Sequence, residues 1–270
     1  MPLKYKKVLV LGATSGIGWA LAAKFVETGT AVIAVGRRKE NLDDFAKQYG
    51  SKGDVDTAVF DIMKFDKIPG FAADMFKKHP DLDCIFLNAG VQRHLNWAEP
   101  EKVDLDSVEM EMNANYISYM HLVKAFLPHL EKQKPKETAM IFTTSGLALI
   151  PILYCANYCA TKAALHHMIL AMREQLKDAG SNVKIIELFP PAVQTELHDA
   201  KHQPEMGDRG KNLGMPLKDF TEEAYEGLCA EDNEQVPVQM VKTAMGFQGW
   251  ELERQKTMFK VQSMMKKQIH

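Results

Sequence analysis

Residues Gly12-Ala13-Thr14-Ser15-Gly16-Ile17-Gly18 form the most informative segment of the chain because of what stands on either side of them. An apolar run at 8–11 precedes them, and residues 16–28 have helical periodicity. Glycines between a strand and a helix allow a tight turn close to a phosphate, which the helix N-terminus attracts. The spacing is G-x-x-x-G-x-G, and its strand-turn-helix context favours a dinucleotide site over a plain glycine-rich turn.

Short apolar runs alternate with helical segments along most of the chain. Buried strands are predicted at 8–11, 31–35, 55–60, 84–87, 140–143 and 183–188, with an edge strand at 235–240. Helices are predicted at 16–28, 39–49, 67–78, 106–129, 157–179 and 219–232. Nearly continuous apolar strands indicate a parallel sheet that is covered on both faces. The sequence therefore predicts an α/β protein with a Rossmann-type, doubly wound, mainly parallel seven-stranded sheet and helices on both faces.

Composition and charge exclude several classes of protein. The 270 residues are 46% hydrophobic and 25% charged, which is ordinary for a globular chain. The 33 basic and 35 acidic residues are interspersed without a basic stripe, so no nucleic-acid partner is expected. No apolar run approaches membrane-spanning length, and we see no secretory leader. With four cysteines and no CxxC pair, the chain is expected to be cytoplasmic, without a metal site or a membrane partner.

The end of the second predicted strand indicates which dinucleotide is bound. A free ribose 2′-hydroxyl calls for a carboxylate there, whereas this chain has Arg37 and Arg38. Guanidinium groups match a 2′-phosphate in charge and geometry, so NADP(H) is the expected cofactor. The alternative is that both arginines only cap a surface turn. Asp61 and Ile62, after the third strand, are placed near the adenine, although Asp61 can equally be a simple loop aspartate.

Polar groups with catalytic chemistry follow the fourth and fifth strands. Tyr158 and Lys162 stand four residues apart on a predicted helix, so their side chains share one face. A nearby ammonium is expected to lower the pKa of the phenol and make it a usable acid or base. Ser145 and the segment Asn88-Ala89-Gly90 follow neighbouring strands, at the edge where open α/β sheets bind ligands.

In order and spacing, these residues resemble the short-chain dehydrogenase/reductase family over about residues 5–195. The motifs that match are Gly12, Gly16, Gly18, Asn88-Ala89-Gly90, Asn115, Ser145, Tyr158 and Lys162. The resemblance implies that Tyr158 exchanges a proton with the substrate oxygen and that Ser145 holds this oxygen. It also implies that Lys162 binds the nicotinamide ribose and lowers the pKa of Tyr158, while Asn115 holds a water linked to Lys162. Hydride then passes between nicotinamide C4 and the carbonyl carbon.

The chain departs from the family pattern after the sixth strand. Pro191 stands where the family usually has glycine, and proline cannot adopt a positive φ, so the local turn must differ. Pro190, Val193 and Thr195 are still expected to contact the cofactor. Residues 241–270 extend past the usual end as one or two amphipathic helices, packed on the same domain or at a subunit interface. A homodimer or homotetramer is expected, although this extension puts the family's common tetramer in doubt.

We expect one catalytic domain, 1–240, with a variable substrate loop at 196–218 that contains at most a short helix. Leu147, Leu149, Ile150, Ile152 and Leu153 follow Ser145 and favour an apolar substrate, or are core packing. Two loop residues, Arg93 and His94, either contact substrate or are solvated. Two pairs of side chains receive ordinary roles: Cys155 with Cys159 as buried packing, and His166 with His167 as packing or surface residues.

The predicted function is NADP(H)-dependent interconversion of a carbonyl and an alcohol on a mostly apolar small molecule, with reduction as the expected direction. Two alternatives remain open. One is a non-catalytic NADPH-binding sensor or scaffold that acts through its C-terminal extension. The other is a reductase of another bond type on the same fold, such as a carbon-carbon double bond.

Overall fold

A seven-stranded sheet forms the centre of the protein, as seen in a computed structural model that describes residues 2–269, without the side chains at 211 and 267–269. The strands are β1 Lys7–Leu11, β2 Ala31–Gly36, β3 Val55–Val59, β4 Cys84–Leu87, β5 Thr138–Thr143, β6 Val183–Phe189 and β7 Gln235–Pro237. Their order in the sheet is β3-β2-β1-β4-β5-β6-β7, and every neighbouring pair is parallel. The predicted doubly wound Rossmann-type sheet is confirmed, and it is entirely rather than mainly parallel.

Helices cover both faces of this sheet. They are α1 Gly16–Glu27, α2 Lys39–Tyr49, α3 Ile68–Lys78, α4 Leu105–Met112, α5 Ser118–Glu131, α6 Ala156–Asp178, α7 Leu217–Leu228, α8 Gln239–Ala244 and α9 Leu252–Ile269. Alternate residues of β1 enter two separate cores, because successive strand side chains point to opposite faces. Val8 and Val10 pack with α1, α2 and α7, whereas Leu9 and Leu11 pack with α3, α5 and α6.

Two predicted elements differ in the structure. The helix predicted at 106–129 is interrupted by a π-helical turn, Asn113–Ile117, between α4 and α5. Apolar periodicity runs through both helices, so the pattern does not reveal the local change in winding. The edge strand predicted at 235–240 ends at Pro237, because Val238 turns the chain into α8.

The order of the strands fixes where a ligand can bind. The chain runs outward from β1 to β3, returns to β4 on the other side of β1, and continues outward to β7. Ligands of open α/β sheets bind at such a reversal, outside the carboxyl ends of the strands. The N–H of Asn88, just after β4, donates to the carbonyl of Leu11 at the end of β1, so both strand ends meet at this crevice.

The segment after β6 is more ordered than predicted. The loop at 196–218 contains 3₁₀ helices at Glu196–His198 and at Pro204–Asn212, the second broken by a kink at Gly207, rather than at most one short helix, and α7 begins at Leu217. After α8, an irregular turn at Phe247–Glu251 leads into α9, and Phe247 packs against Phe189 with ring centroids 5.3 Å apart. His270, the last residue of the predicted extension, lies outside the described residues. Within residues 2–269, no helix has the length and apolarity needed to cross a membrane.

Candidate active site

The turn after β1 is closed by contacts that exclude side chains. Gly12 has φ +89°, and a Cβ on it would lie 2.7 Å from the backbone of Ala89. A Cβ on Gly18 would lie 2.2 Å from the carbonyl oxygen of Gly12. Gly16 faces Thr195, and Ile17 packs on the core. The glycines therefore let α1 begin directly against the ends of β1 and β4, which is the packing that a phosphate turn needs.

Arg38 lies over this turn. Its Nη2 donates to Thr14 Oγ1 at 3.0 Å and to Ser15 Oγ at 2.5 Å, and its Nε lies 3.2 Å from Thr14 Oγ1. Its Nη1 makes an ion pair at 2.7 Å with Glu196 of the loop after β6. Arg37 is exposed. The two predicted arginines are thus placed differently, and Arg38 is the one fixed beside the turn.

Asp61 and Ile62 follow β3 at the same edge of the sheet. Asp61 Oδ1 accepts the N–H of Met63 at 3.0 Å, and the carbonyl of Asp61 accepts the N–H of Lys64. Ile62 packs against the core on the α3 side. The side chain of Asp61 therefore closes a local turn, and its contact with adenine stays a prediction.

The segment Asn88-Ala89-Gly90 joins three elements. Asn88 Oδ1 accepts the hydroxyl of Thr143 at 3.0 Å, and its Nδ2 is 3.4 Å from the carbonyl of Gly12. The carbonyl of Ala89 accepts the hydroxyl of Tyr119 on α5 at 2.8 Å. A Cβ on Gly90 would lie 3.1 Å from Asn115 Oδ1. The ends of β1, β4 and β5 are therefore held together at the predicted site.

Asn115 is fully buried in the π-helical turn. Its Nδ2 donates to the carbonyl of Val91 at 2.8 Å and to Thr161 Oγ1 at 3.1 Å, and its Oδ1 accepts the N–H of Val91 at 2.9 Å. The side chain thus fixes the loop that follows Gly90 to α6. That it holds a water linked to Lys162 stays a prediction.

Ser145, Tyr158 and Lys162 meet beyond the end of β5. Ser145 Oγ accepts the N–H of Leu147 at 3.0 Å, which leaves its own hydrogen to donate. Lys162 Nζ donates to the carbonyl of Thr143 at 2.8 Å and lies 5.6 Å from the centre of the Tyr158 ring. Only 6%, 7% and 2% of Ser145, Tyr158 and Lys162 are exposed. The structure therefore brings together the catalytic residues that the sequence predicts.

The electrostatics of this group differ from the expectation. Burial raises the pKa of Tyr158, the thiol of Cys155 adds to this, and a hydrogen bond with Ser145 opposes it. Burial lowers the pKa of Lys162 to about 8, against the carboxylate of Glu187, which favours the ammonium. The predicted lowering of the Tyr158 pKa is thus not found, because removing the phenolate from water outweighs the hydrogen bond with Ser145. The protein alone keeps Tyr158 in its neutral, protonated form.

The turn after β6 closes the other side of the crevice. The carbonyl of Pro190 accepts the N–H of Gly146 at 2.8 Å, so the ends of β5 and β6 are tied together. Val193 is buried and bridges to Met215, and Thr195 caps the first 3₁₀ helix. Within residues 2–269, positive φ angles are confined to glycines, so Pro191 is accommodated without one. Contacts of this turn with the cofactor stay predictions.

The apolar residues after Ser145 divide into two groups. Leu149 is buried against Phe189 and the C-terminal segment, so it belongs to the core. Leu147 packs against Tyr158 and the two nearby cysteines, whose sulfur atoms are 4.0 Å apart. Leu153 is 97% exposed and Ile152 is 41% exposed. Leu149 is therefore core packing, whereas a substrate contact for the other members of the segment stays a prediction. The described residues contain no cluster of ligands suited to a metal.

Residues that the sequence analysis missed hold the loop after Gly90. Glu111 is buried, and its two oxygens accept the N–H of Arg93 at 2.5 Å and Nδ2 of Asn157 at 2.6 Å. It stands four residues before Asn115, a helical spacing that was the available signal. His94 stacks loosely on Tyr154, at 4.7 Å between ring centres. Glu111 therefore fixes the Arg93 loop to the first turn of α6, beside Tyr158.

The loop after β6 is bonded to the site at two places, through Glu196 to Arg38 and through Gln203 to Gln92. Gln203 is 1% exposed, and its Nε2 donates to Gln92 Oε1 at 3.0 Å. Gln92 Nε2 in turn lies 2.9 Å from the sulfur of Cys155. We call residues 196–212 the lid, because they run from Arg38 to Gln92 across the site. Two amides 111 positions apart have no pattern in the sequence that could pair them.

His166 lies in the interior, as one of the two predicted alternatives had it, but its partners are charged groups. It is fully buried between two carboxylates, those of Glu187 and Glu251. A glutamate inside the apolar strand β6 was the signal that this charge needed a partner. His167 is exposed and contacts Arg254.

Three comparisons with known proteins agree on the family to which this chain is similar. The model of the short chain dehydrogenase family matches residues 6–206. An uncharacterized oxidoreductase, DltE of Bacillus subtilis, is 32% identical over 87% of this chain and 91% of its own length. The fold resembles a short-chain dehydrogenase/reductase from Burkholderia phymatum in complex with NAD, with TM-score 0.80, 18% identity and coverage of 94% and 96% of the two chains. A short-chain dehydrogenase from Sphingobium yanoikuyae in complex with NADPH gives TM-score 0.78, 20% identity and coverage of 96% and 95%.

Proposed function

This chain belongs to the short-chain dehydrogenase/reductase family of oxidoreductases, and from that membership and its site we propose that it is an NADP(H)-dependent carbonyl reductase. It interconverts a carbonyl and an alcohol on a mostly apolar small molecule, with reduction as the working direction. The observation that carries this proposal is the meeting of Ser145, Tyr158 and Lys162, all buried, at the carboxyl end of β5. A sensor or scaffold has no need of such a group.

The residues present fit a dinucleotide phosphate. Gly12 and Gly18 leave a cradle that a Cβ would fill, at the N-terminus of α1. Arg38 is already held beside Ser15 by a hydrogen bond, so its guanidinium is placed for an anion at the turn. Arg38, with Arg37, would hold a ribose 2′-phosphate, and Lys162 would hold the nicotinamide ribose. The similar structures include complexes with NAD and with NADPH, so they do not favour either cofactor. The proposed preference for NADP(H) therefore rests on these two arginines.

The chain's own residues account for the proton. Ser145 donates its hydroxyl hydrogen to the substrate oxygen, while its own oxygen accepts the N–H of Leu147, which orients the hydroxyl. Tyr158, kept neutral by burial, gives its proton to that oxygen as the carbonyl becomes an alcohol. The ammonium of Lys162, anchored on Thr143, stabilises the phenolate that remains. When bound, the cofactor supplies the hydride that reaches the carbonyl carbon.

The substrate class follows from the wall around these groups. Leu147 packs directly against Tyr158, and the exposed Ile152 and Leu153 lie at the rim of the same segment. The lid is attached beside these groups, since Gln203 donates to Gln92, and Gln92 donates to the sulfur of Cys155 in the cluster with Tyr158. These surfaces favour an apolar ketone or aldehyde over a highly polar one.

The proposal also covers the domain organisation, the location and the oligomeric state of the enzyme. Residues 1–240 form the catalytic domain with its substrate loop at 196–218, and 241–270 form a helical extension whose Phe247 packs on β6. The enzyme acts in the cytoplasm on a small molecule, as a homodimer or homotetramer.

The test is oxidation of NADPH and of NADH against a panel of apolar ketones and aldehydes, with Tyr158→Phe as the matched blank. We expect turnover with NADPH that falls by about 10²–10⁴ in the variant, since only the proton donor is removed. Binding of NADPH, followed by its fluorescence, is expected to persist in the variant. Undiminished turnover in Tyr158→Phe, or NADPH binding without turnover on any carbonyl, would contradict the proposal.

A further inference from the structure

A group of fully buried charges lies behind the site, where α6, β6 and the chain before α9 meet. His166, Glu187 and Glu251 are each 0% exposed. Nδ1 of His166 lies 2.8 Å and 3.0 Å from the two oxygens of Glu187, and its Nε2 lies 3.0 Å from Oε1 of Glu251. With both glutamates ionised, each accepts a hydrogen bond from the ring, so both ring nitrogens carry hydrogen. Burial lowers the pKa of His166, but the two carboxylates outweigh it and raise the pKa to about 9, so the geometry fits an imidazolium.

The C-terminal segment completes this group. Arg254 donates to both oxygens of Glu251, at 2.7 Å and 2.9 Å, and Gln255 Nε2 donates to Oε1 at 2.6 Å. The carboxylate of Glu251 is thus fully satisfied, although the site lies inside the protein. Burying ions costs free energy that their attraction often only just offsets, so a buried network is weak evidence for a role in stability alone. Its position relative to the active site offers a second role.

The network continues the catalytic face of α6. Tyr158, Lys162 and His166 follow one another at intervals of four, so they lie on one face of the helix. Lys162 Nζ is bonded to the carbonyl of Thr143 on β5, and His166 to Glu187 on β6. Glu187 pairs in register with Phe142, the residue before Thr143. Consecutive turns of α6 are thus fixed to adjacent positions on neighbouring strands. This places Glu187 on the sheet beneath the catalytic face of α6, where its charge favours the Lys162 ammonium.

We propose that Glu187 is the buried counter-charge of Lys162, that His166 positions the Glu187 carboxylate, and that Glu251 of the C-terminal segment holds His166 in place. All three are positioning residues that act through Lys162. The kinetic part of this proposal rests on the proposed function, whereas the charge on Lys162 does not.

Lys162 and His166 are each surrounded by further charged and titratable groups. Lys162 faces Tyr158 on its own helix, Tyr119 of α5 with the ring centre 5.9 Å away, and Glu187. His166 faces Glu187, Glu251 and the ring of His167, with Arg254 bonded to Glu251 and Arg173 acting on Glu187 from farther along α6. Removing the Glu187 charge leaves Lys162 among neutral phenols and a cation, so its ammonium loses support. Removing the His166 charge leaves Glu187 free to favour that ammonium.

The test is to titrate Lys162 directly by NMR of the full-length protein with ¹³C-labelled lysine, its signal assigned by loss in Lys162→Met. We expect Glu187→Gln to move the titration midpoint down by about one pH unit and His166→Gln to move it up. The matched control is Glu253→Gln, because Glu253 lies in the same segment but makes an exposed ion pair with Lys256. This variant is expected to leave the midpoint unchanged. If Glu187→Gln fails to fold, the upward shift in His166→Gln and a smaller one in Glu251→Gln carry the test.

Shifts of opposite sign separate a charge effect from loss of packing, which has no reason to reverse direction. No shift, or shifts of the same sign in Glu187→Gln and His166→Gln, would overturn the assignment. The alkaline limb of the pH profile for carbonyl reduction is expected to move with the NMR midpoint. If the midpoints move as expected but no carbonyl is reduced, the proposed function alone has failed. If carbonyls are reduced while the midpoints stay fixed, this inference has failed.

Discussion

The guanidinium of Arg38 is bonded to Thr14 and Ser15, whereas Arg37 is exposed beside it. A charge-assisted hydrogen bond to a phosphate contributes about 1.5–3 kcal/mol. We therefore expect Arg38→Ala to weaken NADPH binding by about tenfold or more while changing NADH binding little. The measurement is a fluorescence titration of each cofactor.

The neighbouring arginine is the natural comparison for this change. Arg37→Ala is also expected to weaken NADPH more than NADH, but by less than Arg38→Ala, because a free side chain loses more entropy on binding. Equal losses for both cofactors in Arg38→Ala would remove the argument for NADP(H) that rests on this residue.

The lid places a carboxylate where the proposed 2′-phosphate binds. Glu196 Oε2 lies 2.7 Å from Nη1 of Arg38, so a phosphate and Glu196 compete for one guanidinium. Both side chains are partly exposed, and such pairs contribute about 0–1 kcal/mol. Glu196→Gln is therefore expected to tighten NADPH binding by up to about fivefold and to leave NADH unchanged.

A control for the lid variant is available on another face. Glu222 makes a similar exposed pair with Lys24, at 2.6 Å, and Glu222→Gln is expected to leave both cofactors unaffected. Weaker NADPH binding in Glu196→Gln would mean that Glu196 supports Arg38 rather than competing with phosphate for it.

Elements and site differ in how far the sequence could predict them. The strands follow from apolar runs such as 84–87, and Tyr158 with Lys162 follows from helical spacing, because both depend on residues near each other in the chain. The π-helical turn at Asn113–Ile117 was missed, because a single wider turn within a helix barely alters the hydrophobic pattern. Pairs such as Arg38 with Glu196 were missed because they join residues 158 positions apart. No local period records such contacts.

The stability of the whole molecule is expected to carry the signature of the buried network. Burial alone would lower the pKa of His166, but the carboxylates of Glu187 and Glu251 raise it from 6.5 to about 9. Its contribution to the free energy of unfolding is therefore complete below about pH 6.5 and is lost as the pH rises through 9. A shift of this size corresponds to on the order of 3 kcal/mol.

The expected measurement is urea unfolding of the wild type and of His166→Gln between about pH 6 and pH 10. The difference in unfolding free energy between them is expected to shrink over this range. Lys162, with a pKa lowered by burial, contributes in the opposite direction, and by less in His166→Gln, where its pKa is expected to be higher. At acid pH the relevant group is Glu251. Burial raises its pKa, but His166 and Arg254 outweigh burial and hold the pKa down to about 2. Its contribution to the free energy of unfolding is therefore complete above about pH 4.5 and falls below that pH. A constant difference from pH 6 to pH 10 would show that His166 is neutral in the folded protein, and the buried imidazolium would then have to be abandoned.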